Sequence, residues 1–242
     1  MQKLKVAFQH LGKMNYQQAW DYQEKLMQEN LEVKKNKRLL EDGKITEVEF
    51  GNQKIKNHFL LVEHPPVFTL GKSGAMENLL VNNDFLKQQG IEFFKTNRGG
   101  DITFHGPEQI VGYPILDLEM LKPDLVVYMR NLEEVIIRTL AEYGLQCERS
   151  EGETGVWLDV KDVWKARKIC AMGVRTSRWI TMHGFALNVN TDLKYFEMII
   201  PCGIENKQVT TLEKELGRKI PLHEVEEKIK KHFEDVFGVE LV

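Results

Sequence analysis

The chain has 242 residues, 42% of them hydrophobic and 29% charged, with a net charge of −3. That balance excludes polybasic, strongly acidic and disordered classes, and at about 150 residues per domain it predicts one large packed domain or two small ones. No run approaches the roughly 18 consecutive apolar residues of a membrane span; the most apolar stretch, Ile110 to Leu116, is short and holds Gly112 and Pro114.

The first residues, MQKLKVAFQHLG, lack the pattern of a secretion signal or transit peptide, so a cytoplasmic location is expected. Leu4 to Phe8 alternates like a strand, and Asn15 with Gln18 forms a capping pair for a long polar helix running to about Leu40. Glu47 to Phe50, then Gly51-Asn52, then the apolar run to Val62 predicts a hairpin into a buried strand. Val67 to Leu70 is a further strand, and Asp84 to Gln89 a short helix stopped at Gly90. Ile91 to Lys95 and Ile110 to Leu116 read as strands joined by a glycine-rich loop.

Pro123 opens a strong helix in which Leu125, Tyr128, Met129, Leu132, Ile136 and Leu140 recur at steps of three and four, closing at Gly144. Gly155 to Val160, Val163 to Met172 and Trp179 to Val189 predict a strand meander. Thr210 with Glu213 caps a short helix ending at Gly217, and Pro221 starts a last helix with Val225, Ile229, Phe233 and Val236 inward. The expected class is α+β: one domain over residues 1–242, a mixed or antiparallel sheet flanked by helices, with C-terminal helices over about 210–238.

Three segments carry candidate chemistry. In the loop from Arg98 to Gln109, Gly99, Gly100 and Gly106 let backbone approach a ligand, Arg98 suits an anion, and His105 can exchange protons near neutral pH. The loop is neither a Walker loop nor a dinucleotide fingerprint, because no GxxxxGK[ST] or GxGxxG is present. In the strand around Lys168, alternation puts Lys168 and Cys170 on one face. In Pro201-Cys202-Gly203, a thiol follows an apolar strand end, and a nearby lysine cation would raise its thiolate fraction. Lys168 can serve Cys170 or Cys202, and spacing does not choose between them. The three cysteines, Cys147, Cys170 and Cys202, form no disulfide framework or CxxC pair, and Cys147 reads as structural. His64, His105 and His183 lack metal-ligand spacing and read as neutral structural groups, so no metal is expected.

Together these blocks resemble the lipoyl(octanoyl) transferase family: HPPVFTLGKSG (His64 to Gly74), RGGDITFHGPEQIVGYPILDL (Arg98 to Leu118), KICAMGVR (Lys168 to Arg175), WITMHGFALNVNTDL (Trp179 to Leu193) and PCGI (Pro201 to Ile204), in the family order. The resemblance implies the fold of the biotin and lipoate protein ligase catalytic domain. It implies Cys202 as nucleophile and Lys168 as the group lowering its pKa. Substrate contacts then fall on Arg98, Gly99, Gly100, Asp101, Ile102, Thr103, Phe104 and His105, on Ala171, Met172 and Gly173, and on Gly184, Phe185 and Ala186, with Gly99 and Gly100 leaving room for an acyl chain. Phe104, Glu108 and Lys72 depart from the family's usual tyrosine, glycine and arginine.

The implied reaction moves octanoyl from acyl carrier protein to the lysine of lipoyl domains of 2-oxoacid dehydrogenases and of the glycine cleavage H protein, through a cysteine thioester and without a cofactor. Neither nucleic acid nor membrane is an expected partner. Residues 161 to 178 carry six cations against Asp162 alone, a patch suited to steering an acidic carrier. The rival readings are an ATP-dependent lipoate or biotin protein ligase, indifferent to loss of Cys202, and a silent module that binds an acyl carrier or RNA.

Overall fold

Strands buried on both faces form the centre of the molecule, which is why Ile110 to Leu116 reads as a continuous apolar run rather than an alternating one. The computed structural model describes residues 3–200 and 208–242. In chain order the elements are β1 (Leu4–Lys13), α1 (Tyr16–Glu41), α2 (Glu47–Phe50), β2 (Asn57–Glu63), β3 (Val67–Leu70), α3 (Asn83–Gln88), β4 (Glu92–Lys95), β5 (Ile102–His105) and β6 (Gln109–Ile115). There follow α4 (Leu125–Ala141), β7 (Val156–Leu158), β8 (Arg167–Ser177), β9 (Ile180–Asn188), β10 (Gln208–Val209), α5 (Leu212–Leu216), α6 (Leu222–Phe237) and β11 (Val239–Leu241).

The large sheet has the order β10-β8-β9-β6-β2-β1-β11, with β7 paired beside β8. β1 runs parallel to β2 and β11, and β10 parallel to β8, while the central pairs are antiparallel, so the sheet is mixed. The meander from β7 to β9 follows the predicted pattern. α4 and α6 bury Leu132, Ile136, Leu140, Ile229 and Phe233 in the main core, and α1 packs Ala19, Leu26 and Met27 over the strands from a second apolar cluster. Among the described residues no helix is long and apolar enough to cross a membrane.

The segment from Arg98 to Gln109 is not all loop. Ile102 to His105 forms β5, the edge of a separate three-stranded sheet ordered β4-β3-β5, whose core holds Phe68, Leu86 and Phe104. Glu47 to Phe50 is a helical turn rather than a hairpin strand: Thr46 accepts from the Glu49 N–H at 3.3 Å, and the Glu49 carboxylate accepts from the Thr46 N–H at 2.6 Å. This reciprocal cap outweighs a short alternating pattern. Asn15 stands at the start of α1 but makes no side-chain cap bond. The cap of α5 is Thr211, one residue beyond the expected Thr210, and it accepts from the Lys214 N–H at 3.0 Å.

The Phe59 and Phe233 rings lie 4.1 Å apart and nearly parallel, fastening α6 to β2. Both are fully buried. Phe233→Ala is expected to cost about 3–5 kcal/mol of stability, and urea denaturation of the variant beside the wild type measures it.

Candidate functional site

One cavity of about 810 Å³, including its part open to solvent, lies where the two sheets meet. That is within the usual range for a small-molecule site. From the glycine-rich segment it takes Arg98, Gly100, Asp101, Ile102, Thr103 and His105. β8 contributes Lys168, Ala171, Met172 and Gly173, and β9 contributes Gly184, Phe185 and Ala186. Sequence blocks up to some 90 residues apart thus share one enclosure. Gly99 and Phe104 are not part of the lining: Phe104 is buried in the small sheet's core, stacked on Tyr195 at 4.4 Å. Cys202 lies outside the described residues. The described chain stops at Ile200 and resumes at Gln208, and Val209 of β10 pairs with Lys168.

The loop is seated by backbone contacts. The Gly99 N–H donates to the Val174 carbonyl at 2.9 Å, tying the loop to β8. Gly173 permits this approach, since a Cβ there would stand 2.6 Å from the Gly99 oxygen. Gly100 has φ +87, a backbone conformation that favours glycine. Arg98, expected as an anion ligand, is buried, and its guanidinium donates to the carbonyls of Gly99, Thr69 and Asp101 and to the Thr69 hydroxyl at 2.7 to 3.0 Å. The Asp101 carboxylate accepts from the Asn78 amide at 2.6 Å and the Ile102 N–H at 2.7 Å. Both side chains hold the loop's shape.

Lys168 and Cys170 do not share a face. Val156 pairs with Cys170, but the next β7 residue, Trp157, pairs with Lys168, so Ile169 is an extra residue in β8. This bulge interrupts the alternation. Ile169 and Cys170 both enter the main core, while Lys168 lines the cavity with its Nζ 4.5 Å from the Trp157 ring centre. Burial pushes the Cys170 thiol well above its ordinary pKa, and Cys147 is raised to about 12, also chiefly by burial. A thiol in that environment is a poor nucleophile.

At least three of the six cations between residues 161 and 178 meet acids in the fold, two of them acids from outside that run. Arg167 donates to both Glu215 oxygens at 2.6 Å and also pairs with Asp159; Arg175 meets Glu24 at 2.6 Å, and Lys165 meets Asp162 at 3.4 Å. Counting charges along residues 161 to 178 missed Glu24, Asp159 and Glu215.

Aromatic and polar groups beyond the expected contacts also line the cavity: Gln109, Tyr113, His183 and Asn188 from within the motif blocks, and Tyr16 from outside them. Tyr16 stacks on His105 with centroids 5.8 Å apart. His64 donates from Nδ1 to the Met14 carbonyl at 2.7 Å, leaving Nε2 to accept from the Tyr113 hydroxyl at 2.9 Å. Gln109 donates from its amide to the Phe104 carbonyl and Asn188 Oδ1, so its own oxygen accepts from His105 Nδ1 at 3.0 Å. Burial is the main cause that lowers the pKa of His64 to about 4, of His183 to about 3 and of His105 well below its ordinary value. All three are neutral at pH 7. Tyr16 stands at the start of α1, which the sequence presented only as a long polar helix. Among the described residues no three His, Cys, Asp or Glu side chains come together as a metal cage.

A family model for the lipoyl protein ligase A/B catalytic domain matches residues 15–234. An octanoyltransferase of Christiangramia forsetii is 58% identical over 238 residues, spanning 98% of this chain and 97% of that protein. Among solved structures, a bi-partite lipoate protein ligase from Thermoplasma acidophilum aligns with a TM-score of 0.68 at 15% identity, covering 99% of this chain and 86% of that one. Biotin protein ligase from Aquifex aeolicus, solved with biotin and ATP, gives a TM-score of 0.52 at 13% identity, covering 96% and 70%. The two structural likenesses establish the fold.

The histidine cluster makes stability depend on pH. Unfolded histidines protonate near pH 6.5, whereas folded His64 and His183 stay neutral down to about 4 and 3. Between these values the unfolded state binds more protons, so stability is intact above pH 6.5 and falls as pH drops toward 4. The expected slope is about 1.4 kcal/mol per pH unit for each buried histidine. Urea midpoints at pH 7 and pH 5 check it, and His64→Gln should flatten the decline.

Proposed function

The chain belongs to the lipoyl protein ligase A/B catalytic domain family, and we propose that within it the protein is an octanoyltransferase of protein lipoylation, moving an octanoyl group from the phosphopantetheine thioester of acyl carrier protein to a lysine of a lipoyl domain. The observation that carries this reading is a cavity with apolar walls at Ile102, Val111, Ala171, Met172 and Ala186 and a lysine, Lys168, on its lining. At about 0.8 kcal/mol per buried methylene an eight-carbon chain gains several kcal/mol from such walls. The 58% identity to an octanoyltransferase over nearly the whole chain supports the same acyl group.

The chemistry proceeds through Cys202 and Lys168. Cys202 gives its proton to Lys168, and the resulting thiolate and ammonium stabilise one another. The thiolate attacks the donor carbonyl, the carbonyl–sulfur bond to phosphopantetheine breaks, and the departing thiolate takes its proton from Lys168. The acyl-enzyme then faces a neutral Lys168. The acceptor lysine, as free amine, attacks the enzyme thioester; its surplus proton passes to Lys168, and Cys202 leaves as thiolate, restoring the ion pair. Exchange of thioesters is nearly balanced and amide formation is downhill, so ATP has no part. The Trp157 face beside Lys168 and the β10 strand alongside it support holding that ammonium in place.

Octanoyl-acyl carrier protein and an apo lipoyl domain, mixed with the enzyme in the absence of ATP, should give octanoylated lipoyl domain by mass spectrometry. Lys168→Met should lower the rate about 10²–10⁴-fold, the usual worth of a positioned acid-base group. Octanoylation that proceeds only from free octanoate with ATP would establish the ligase reading instead.

A further inference from the structure

His183 lines the cavity and holds a buried hydrogen-bond acceptor, and the surrounding network fixes which nitrogen that is. The Glu24 carboxylate, which only accepts, takes the Asn97 amide nitrogen at 2.9 Å and Arg175 Nη1 at 2.6 Å. The Asn97 oxygen therefore faces His183 and accepts from Nε2 at 2.7 Å. The ring proton sits on Nε2, and Nδ1 carries a lone pair. That Nδ1 is buried with no hydrogen-bond partner among the described residues, although His183 is only 1% exposed and lines the cavity. Protonation does not relieve it, since burial and the nearby Arg98 and Arg175 charges keep the ring neutral.

The β8–β9 register places His183 far along β8 from Lys168. His183 pairs with Val174, six residues beyond Lys168 on β8, or about 20 Å of extended strand. An eight-carbon chain, with bonds of about 1.5 Å, spans only about 9 Å. Starting from a thioester at the Lys168 end, it finishes among Ala171, Met172, Gly173 and their β9 partners, short of His183. A longer chain brings a methyl group against the Nδ1 lone pair. A buried acceptor deprived of any donor is costly, and sites built this way reject analogues that leave it unpaired.

From this juxtaposition we propose that His183 is a specificity-determining residue that sets the upper length of the acyl chain, through a polar end wall at Nδ1. The proposal rests on the octanoyl-transfer reading and adds the limit of its substrate class. The same wall welcomes a long chain that ends in a donor.

The test measures rates of acyl-enzyme formation with octanoyl, decanoyl, dodecanoyl and tetradecanoyl thioesters of acyl carrier protein. The wild type should react with octanoyl and slow at least tenfold, about 1.4 kcal/mol, at a longer member. The ω-hydroxy analogue of that first rejected chain should recover most of the loss, because its hydroxyl donates to Nδ1. His183→Leu should move the fall to longer chains, while His183→Gln, which keeps a polar group, should retain it; a purely structural role would slow all lengths alike. Should His183→Leu not fold, the ω-hydroxy comparison on the wild type decides alone. Equal rates across the wild-type series, or no gain from the ω-hydroxyl, would overturn the proposal. Failure of octanoyl itself to react would instead remove the octanoyl-transfer reading, and the length limit with it.

Discussion

The seam between the large sheet and the small one is the constraint on which the site depends. The backbone hydrogen bond from Gly99 N–H to the Val174 carbonyl crosses it, and the missing side chain of Gly173 makes room for it. Arg98 then ties the loop to β3 by two donations to Thr69 and braces the loop itself by donating to the Gly99 and Asp101 carbonyls. The cavity exists because this loop is held over β8 and β9 at a fixed height. A side chain at position 173 would lift the loop and open the enclosure, which places the specificity of the walls under the control of a residue that touches no partner by side chain.

Polarity is distributed along the cavity in an order that suits its proposed task. Lys168 stands beside the Trp157 ring; Ala171 and Met172 follow it along β8; and Tyr113 and a neutral His183 also line the cavity. Buried neutral histidines still offer hydrogen-bonding atoms without the desolvation cost of a cation. The cost reappears only in acid, when the unfolded chain gains protons that the folded chain refuses. Stability and site electrostatics are thus two aspects of one burial.

Much of this was legible in the sequence where the determinants are local. The stripe of Leu132, Ile136 and Leu140 gave α4, and Val225, Ile229 and Phe233 gave α6, because three- and four-residue spacing alone decides which helix face meets the sheet. The blocks around Arg98, Lys168 and His183 named most of the cavity wall. What escaped was non-local or one residue in size. β5 is a strand because it pairs with Val67–Leu70, more than thirty residues earlier, and its flanking glycines read as loop. Ile169, one extra residue in β8, sent Cys170 to the core and left Lys168 in the cavity. The capping pair of Thr46 and Glu49 was present in the sequence but was outweighed by the alternation beside it. The basic run at 161 to 178 could not reveal Glu24 or Glu215, which only the fold brings to it.

The central claim is that a thioester forms on Cys202 and not on the buried Cys170. Intact-protein mass spectrometry after mixing the enzyme with octanoyl-acyl carrier protein, without ATP and without a lipoyl domain, tests it most directly. The account predicts one octanoyl increment in the wild type and in Cys170→Ser, released by hydroxylamine, and none in Cys202→Ser. An increment that persists in Cys202→Ser, or no increment in the wild type, would contradict it.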